Sequence, residues 1–258
     1  FLANYLILVI PVGAAIYFSE KCPFRRILLL AMLGTFYYAL ILLFSLGAFA
    51  GLLAGALFIS ALVLIENLRL KSFIFRPRFF AKMLVLILLF AALSMNLPAI
   101  TAKTSSSIAW RNGAANRMMS YRAAYRMMRD NPIRGVGIGN FKYKYPEYRG
   151  TFLGVRQMYV DSAILDKERE KHAHSDPAQV WSETGIFGLA AFMLMLFVIY
   201  KTGITIFFKS FDSGRKLFIA GLLGGITGFF VHSTLSFPMH VTPNGFLFWT
   251  FVGLLFAQ

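Results

Sequence analysis

Long apolar runs recur along this chain, and they constrain its fold before any motif is considered. They fall at roughly 2–18, 26–45, 47–65, 82–100, 186–208, 216–236 and 244–257, each nearly free of charge. Runs of this kind cross hydrocarbon as helices, because lipid offers no partner to a backbone N–H or C=O. Several are short for a bilayer, which implies tilted or truncated spans. Composition agrees: 58% of the 258 residues are hydrophobic and mean hydropathy is +0.65, whereas soluble domains are about 45–50% apolar. The expected fold is an all-α polytopic membrane protein with about seven transmembrane helices and one large polar loop that itself contains helices. The expected organisation is N-terminal transmembrane helices over 1–100, a polar loop over 101–183 and C-terminal transmembrane helices over 184–258. The chain opens at Phe1-Leu-Ala-Asn and closes at Phe256-Ala-Gln258, both within apolar runs, as expected of the C-terminal part of a larger membrane protein. The single cysteine, Cys22, excludes an internal disulfide.

The net charge of +15 does not imply nucleic-acid binding until it is divided by location. Lys21, Arg25 and Arg26 follow the first run. Arg69, Lys71, Arg76, Arg78 and Lys82 separate the third and fourth. Lys201, Lys209, Arg215 and Lys216 separate the fifth and sixth. These connections all fall on one side, which the positive-inside rule makes cytoplasmic. The 101–183 loop then faces outward, with the Ser45-Leu46-Gly47 turn and the 237–243 connection. The other 14 of the 26 basic residues lie in that loop, which suggests an anionic ligand.

Within the loop, residues 114–129 read as an amphipathic helix, with Arg122, Arg126 and Arg129 at i, i+4 and i+7 on one face and Arg117 partly offset. Asp130-Asn131-Pro132 ends it, since a residue before proline leaves the helical region. Guanidinium forks suit phosphate oxygens, and a row of them suits a diphosphate. They suit lipid head groups equally well on spacing alone. The run Gly135-Val-Gly137-Ile-Gly139 is not a dinucleotide fingerprint, because no strand or crossover surrounds it. It reads as a tight backbone turn, or as a set of N–H groups offered to an anion. Tyrosines among basic residues over 142–149 fit sugar stacking or a membrane interface. The mixed charges of Asp166–Lys171 read as a solvated helix face.

His172-Ala-His174-Ser175 sits where the loop meets the next apolar run. Asp176-Pro177 looks like a helix start, which places His174 and Ser175 at its edge and Gly185 and Gly188 at the opening of the span. A metal site is a poor fit: His172 and His174 do not share a helix face, and no further ligand cluster is visible beyond Glu170, Asp176 and the distant His232 and His240. A serine nucleophile needs an oriented base that adjacency does not supply. General base catalysis by His174 fits better, because imidazole titrates near neutrality.

His174, Ser175, Gly185 and Gly188 form the pattern His-[Asn/Ser/Gln]-x9-Gly-x-x-Gly, which resembles that of the bacterial O-antigen ligases. Their superfamily includes O-antigen polymerases and protein O-oligosaccharyltransferases. The arginine-rich helix, Asn131-Pro-Ile-Arg-Gly135-Val-Gly137-Ile-Gly-Asn-Phe141 and the ending from His232 through Phe237-Pro-Met-His-Val-Thr-Pro-Asn244 resemble it too. The likeness covers roughly residues 27–257.

The resemblance implies a GT-C-type, metal-independent glycosyltransferase without cofactors, in the bacterial inner membrane and with its loop periplasmic. The donor would be a glycan on undecaprenyl diphosphate and the acceptor lipid A-core or another hydroxyl, with membrane lipids as surroundings and no nucleic acid. By position, His174 would activate the acceptor hydroxyl. Arg117, with Tyr121 as the family's following aromatic, and then Arg122 and Arg126 would bind the diphosphate. One departure stands out: the family often carries Ser-Arg-Gly-Ala on an earlier hairpin, where this chain has Ser45-Leu46-Gly47-Ala48. Two other classes compete, a lipid-linked glycan transporter and an inactive binding homologue. A transporter calls for charged or broken helices deep in paired spans, and these runs hold almost none.

Overall fold

The computed structural model describes residues 2–43, 45–70, 108–150 and 172–258. The expected span at 82–100 and the charged stretch 166–171 lie outside them. The described elements are all helical: α1 (Leu2–Ser19), α2 (Pro23–Leu42), α3 (Leu46–Leu70), α4 (Ile108–Asp130), α5 (Phe141–Gly150), α6 (Asp176–Lys209), α7 (Ser213–Ser233), a 3-10 turn at Pro238–His240 and α8 (Thr242–Phe256). Among the described residues, α1, α2, α3, α6 and α7 are long and apolar enough to cross a membrane. α8 is apolar but has only 15 residues. At 1.5 Å per residue it reaches about 22 Å, short of a hydrocarbon core of about 30 Å. The chain is an all-α, multi-pass membrane protein.

Two compact units divide it. One comprises residues 1–106, 199–232 and 241–258. Its α7 carries no polar stripe and is buried almost throughout, with Ile219, Ala220, Leu222, Leu223, Ile226 and Phe229 fully enclosed, as expected of a helix that is apolar all round. Small residues let α3 approach it: a Cβ on Gly51 would stand 2.5 Å from the Gly228 carbonyl oxygen, and one on Gly55 2.4 Å from that of Gly224. Gly51 and Gly55 on α3, and Gly224 and Gly228 on α7, each form a Gly-x-x-x-Gly repeat, the spacing that lets membrane helices meet backbone to backbone. The Tyr200 hydroxyl donates to Thr227 at 2.9 Å. Lys216 donates to Glu66, both of them buried, so each charge has the partner that burial demands. Outward-facing Phe24, Ile27, Leu28 and Leu57 stay exposed, consistent with lipid contact. His232 lies in the last turn of α7 and is buried.

The second unit comprises residues 107–198 and 233–240. Here α4 begins six residues before the expected helix and ends at Asp130 as the following Pro132 requires. Its buried stripe of Ser120, Ala123, Ala124 and Met127 follows helical spacing and packs with Phe141 and Tyr145 of α5 and with Ala173. α6 starts at Asp176, as expected, but is broken at Gly185, whose φ and ψ of 68° and −162° are not helical.

Candidate active site

The break in α6 is held by the glycine run. A helix that stops leaves its last carbonyls without partners. At this break the Ser182 and Glu183 carbonyls accept from the Val136 and Gly137 N–H groups at 2.9 and 2.8 Å, and Ile186 N–H donates to the Pro132 carbonyl at 2.9 Å. Two glycines let the backbones meet. A Cβ on Gly135 would lie 2.4 Å from the Glu183 carbonyl carbon, and one on Gly185 2.1 Å from the Ile133 carbonyl oxygen. Both residues have positive φ, which glycine adopts without steric cost. The anion offered to the remaining N–H groups is the chain's own Glu183: its carboxylate accepts from Gly139 at 2.9 Å and from Phe141, the first residue of α5, at 3.2 Å. Negative charge is favoured at that helix N-terminus.

Glu183 is buried and was not singled out by sequence. The available signal was a lone carboxylate two residues before Gly185. Glu183→Gln keeps one acceptor oxygen and turns an NH2 toward a backbone N–H. Hydrogen bonds to charged groups are worth about 1.5–3 kcal/mol, so the variant should lose about 2 kcal/mol of stability, read as a lower melting temperature in detergent.

Upstream of the break, Ser175 caps α6. Its carbonyl accepts from Gln179 N–H at 2.9 Å, and its hydroxyl oxygen accepts from Ala178 N–H at 3.4 Å. That is the N-cap geometry serine favours, and the hydroxyl oxygen serves the helix. Gln179 accepts from Ala173 N–H at 3.1 Å and donates to Glu183 at 3.3 Å, tying the histidine segment to the break.

His174 is the only described non-glycine residue with positive φ, at 55°. Histidine is among the residues that visit this region more than most, yet the conformation still needs support. The Tyr121 hydroxyl supplies it, donating to the His174 carbonyl at 3.1 Å. Burial pushes the Tyr121 phenol pKa up, and the Arg117 guanidinium beside it works in the opposite direction. Arg117 is exposed and one helical turn before Tyr121, so it shares the face of α4 that reaches His174. Arg122 and Arg126 lie about 100° and 140° further round α4 than Tyr121; Arg122 faces away from the buried stripe and Arg126, three residues after Ala123, borders its far edge. Arg122 is exposed and Arg126 half-buried. The three arginines therefore do not form one row.

Phe237 joins the two histidines. The His172 ring stacks on it at 4.4 Å, and the His174 ring meets it edge-on at 5.1 Å. Asp176, fully buried, accepts from His240 Nδ1 at 2.8 Å and from Met239 N–H at 3.1 Å. Among the described residues no group of three His, Cys, Asp or Glu side chains is placed to hold a metal ion.

His172 has its pKa lowered from 6.5, first by burial and then by facing His240. The folded state therefore favours neutral imidazole. Its contribution to stability is present above pH 6.5 and is lost as pH falls through the lower folded value. The melting temperature should drop on acidification below that point, and His172→Phe, which keeps the stacking, should reduce the drop.

α6 is thus a broken, membrane-length helix headed by a capped histidine segment, in a multi-pass membrane protein. The O-antigen ligase family matches residues 27–193, more than half of the chain, and the chain belongs to that family. Comparison with curated proteins returns no match. Membership assigns the chain to membrane-bound glycan transfer in O-antigen or polysaccharide biosynthesis, with a lipid-linked glycan as donor and a lipid as acceptor in general.

Proposed function

We propose that this protein is an O-antigen ligase, moving a glycan from undecaprenyl diphosphate to a hydroxyl of lipid A-core on the periplasmic face of the bacterial inner membrane. His174 is the base. Its imidazole takes the acceptor hydroxyl proton, the freed oxygen attacks the anomeric carbon, and the bond from that carbon to the diphosphate oxygen breaks. Arg117 stabilises the charge that develops on the departing diphosphate. The observation that carries this reading is the Tyr121 hydrogen bond to the left-handed His174 backbone. It holds the His174 backbone from the face of α4 that also carries Arg117, one turn before Tyr121.

Arg122 and Arg126 were read from sequence with Arg117 as diphosphate ligands. What favours Arg117 as the principal one is its position one turn before Tyr121, whose hydroxyl meets the His174 carbonyl. Arg117→Ala should lower donor turnover about 10- to 100-fold, and Arg122→Ala far less, in a transfer assay at saturating acceptor. Leu46, exposed at the first position of α3, supplies no charge, and Arg117 takes that load.

The acceptor decides between ligase, polymerase and protein oligosaccharyltransferase. The test offers membranes containing the protein and labelled donor a choice of lipid A-core, a second lipid-linked repeat unit and a serine-rich polypeptide. Label on lipid A-core is the expected result. Label on the repeat unit or on the polypeptide instead would refute the ligase assignment.

A further inference from the structure

The mechanism above leaves the Asp176–His240 pair without a task. Asp176 is fully buried at the head of α6, where an ionised carboxylate persists only with close partners. It has two, His240 Nδ1 at 2.8 Å and Met239 N–H at 3.1 Å. A carboxylate that accepts from Nδ1–H fixes the imidazole tautomer and leaves Nε2 as the atom that exchanges protons. The His240 side chain is 30% exposed, so that atom is not sealed in the core. Its ring lies 5.1 Å from His172, and Phe237, three residues earlier, touches both His172 and His174. Among the described residues the titratable groups around it are Asp176 from α6, His172 from the preceding segment and His174 through Phe237. A buried acid orienting a partly exposed imidazole is the arrangement of a working acid–base residue rather than of a packing histidine. His240 also lies beyond the residues matched by the family.

We propose that His240 is a further catalytic residue, the general acid that protonates the diphosphate leaving group while His174 acts as base. The assignment rests on the glycan-transfer reading. In the step, the acceptor O–H bond breaks and its proton passes to His174. The acceptor oxygen bonds to the anomeric carbon as the carbon–oxygen bond to diphosphate breaks, with that electron pair staying on the phosphate oxygen. The Nε2 proton of His240 goes to the diphosphate. One imidazole gains a proton and the other loses one, so net charge on the protein is unchanged. Asp176 is a positioning residue: burial pushes its carboxyl pKa up, and the hydrogen bonds from His240 and the Met239 N–H work in the opposite direction, towards the carboxylate that holds the ring.

The test is the pH dependence of kcat in proteoliposomes, using undecaprenyl-diphosphate-linked glycan and lipid A-core. The wild-type protein should give a bell, with its acid limb from His174 and its alkaline limb from His240. His240→Gln should lower kcat about 100-fold and abolish the alkaline limb. Asp176→Asn should lower kcat as well, because the ring loses the carboxylate that fixes its tautomer and orientation. If His240→Gln proves unstable, added imidazole should restore part of the rate of His240→Ala, which a purely structural histidine would not allow. Wild-type transfer together with a His240→Gln variant that keeps both limbs and most of its kcat would overturn this assignment alone, as would failure of imidazole rescue. Absence of transfer by the wild-type protein would overturn the functional reading and this assignment with it.

Discussion

Gly185→Ala is expected to yield little or no folded protein. The new Cβ would stand 2.1 Å from the Ile133 carbonyl oxygen, 2.3 Å from its carbon and 2.7 Å from the Arg134 nitrogen. All three are backbone atoms that cannot rotate aside. The φ and ψ of 68° and −162° also fall in a region open to glycine almost alone, costing about 1–3 kcal/mol for any other residue. Overpacking adds a comparable amount, so the loss is on the order of 4–5 kcal/mol against a total stability of about 5–15 kcal/mol. Gly188→Ala makes a useful contrast. Its Cβ would meet the Thr184 side chain, which can rotate, so a smaller loss is expected although both glycines belong to one motif. Melting temperatures and yields of monodisperse protein in detergent measure both. A Gly185→Ala protein that melts with the wild type would contradict the account of the break.

Removal of the His174 imidazole should cost about 100- to 10,000-fold in transfer, the usual contribution of a positioned base. The left-handed backbone at this residue lets the catalytic and structural roles be separated. His174→Gly removes the ring and relieves the conformational cost, since glycine takes positive φ freely. It should therefore be inactive yet at least as stable as His174→Ala. His172→Ala should behave differently. It removes a ring stacked on Phe237, so stability should fall along with activity.

The spans, the α4 helix and the Asp176 helix start were legible in the sequence because hydrophobic run length and proline effects act over neighbouring residues. His174 and the two motif glycines were legible as a pattern whose physical reason was hidden. Gly185 needs its freedom because residues 132–137, some fifty positions earlier, close on it. Glu183 meets Gly139 and Phe141 and Asp176 meets His240 across comparable separations. No local periodicity records such pairings. For the arginines, spacing put Arg122, Arg126 and Arg129 on one face with Arg117 partly offset, and the resemblance put Arg117 with Tyr121 first; the Tyr121 contact with the His174 carbonyl, on the Arg117 side of α4, lies beyond what local spacing records. The glycine run was read as a turn or an anion cradle. It is a turn whose N–H groups are taken by the α6 carbonyls and by Glu183.

The most direct measurement of the central claim is single-turnover transfer by purified protein in proteoliposomes, with labelled undecaprenyl-diphosphate-linked glycan and lipid A-core. The wild-type protein should place label on lipid A-core, and His174→Gly, with an unchanged melting temperature, should place almost none. Equal transfer by the two proteins would contradict the assignment of His174 as the base.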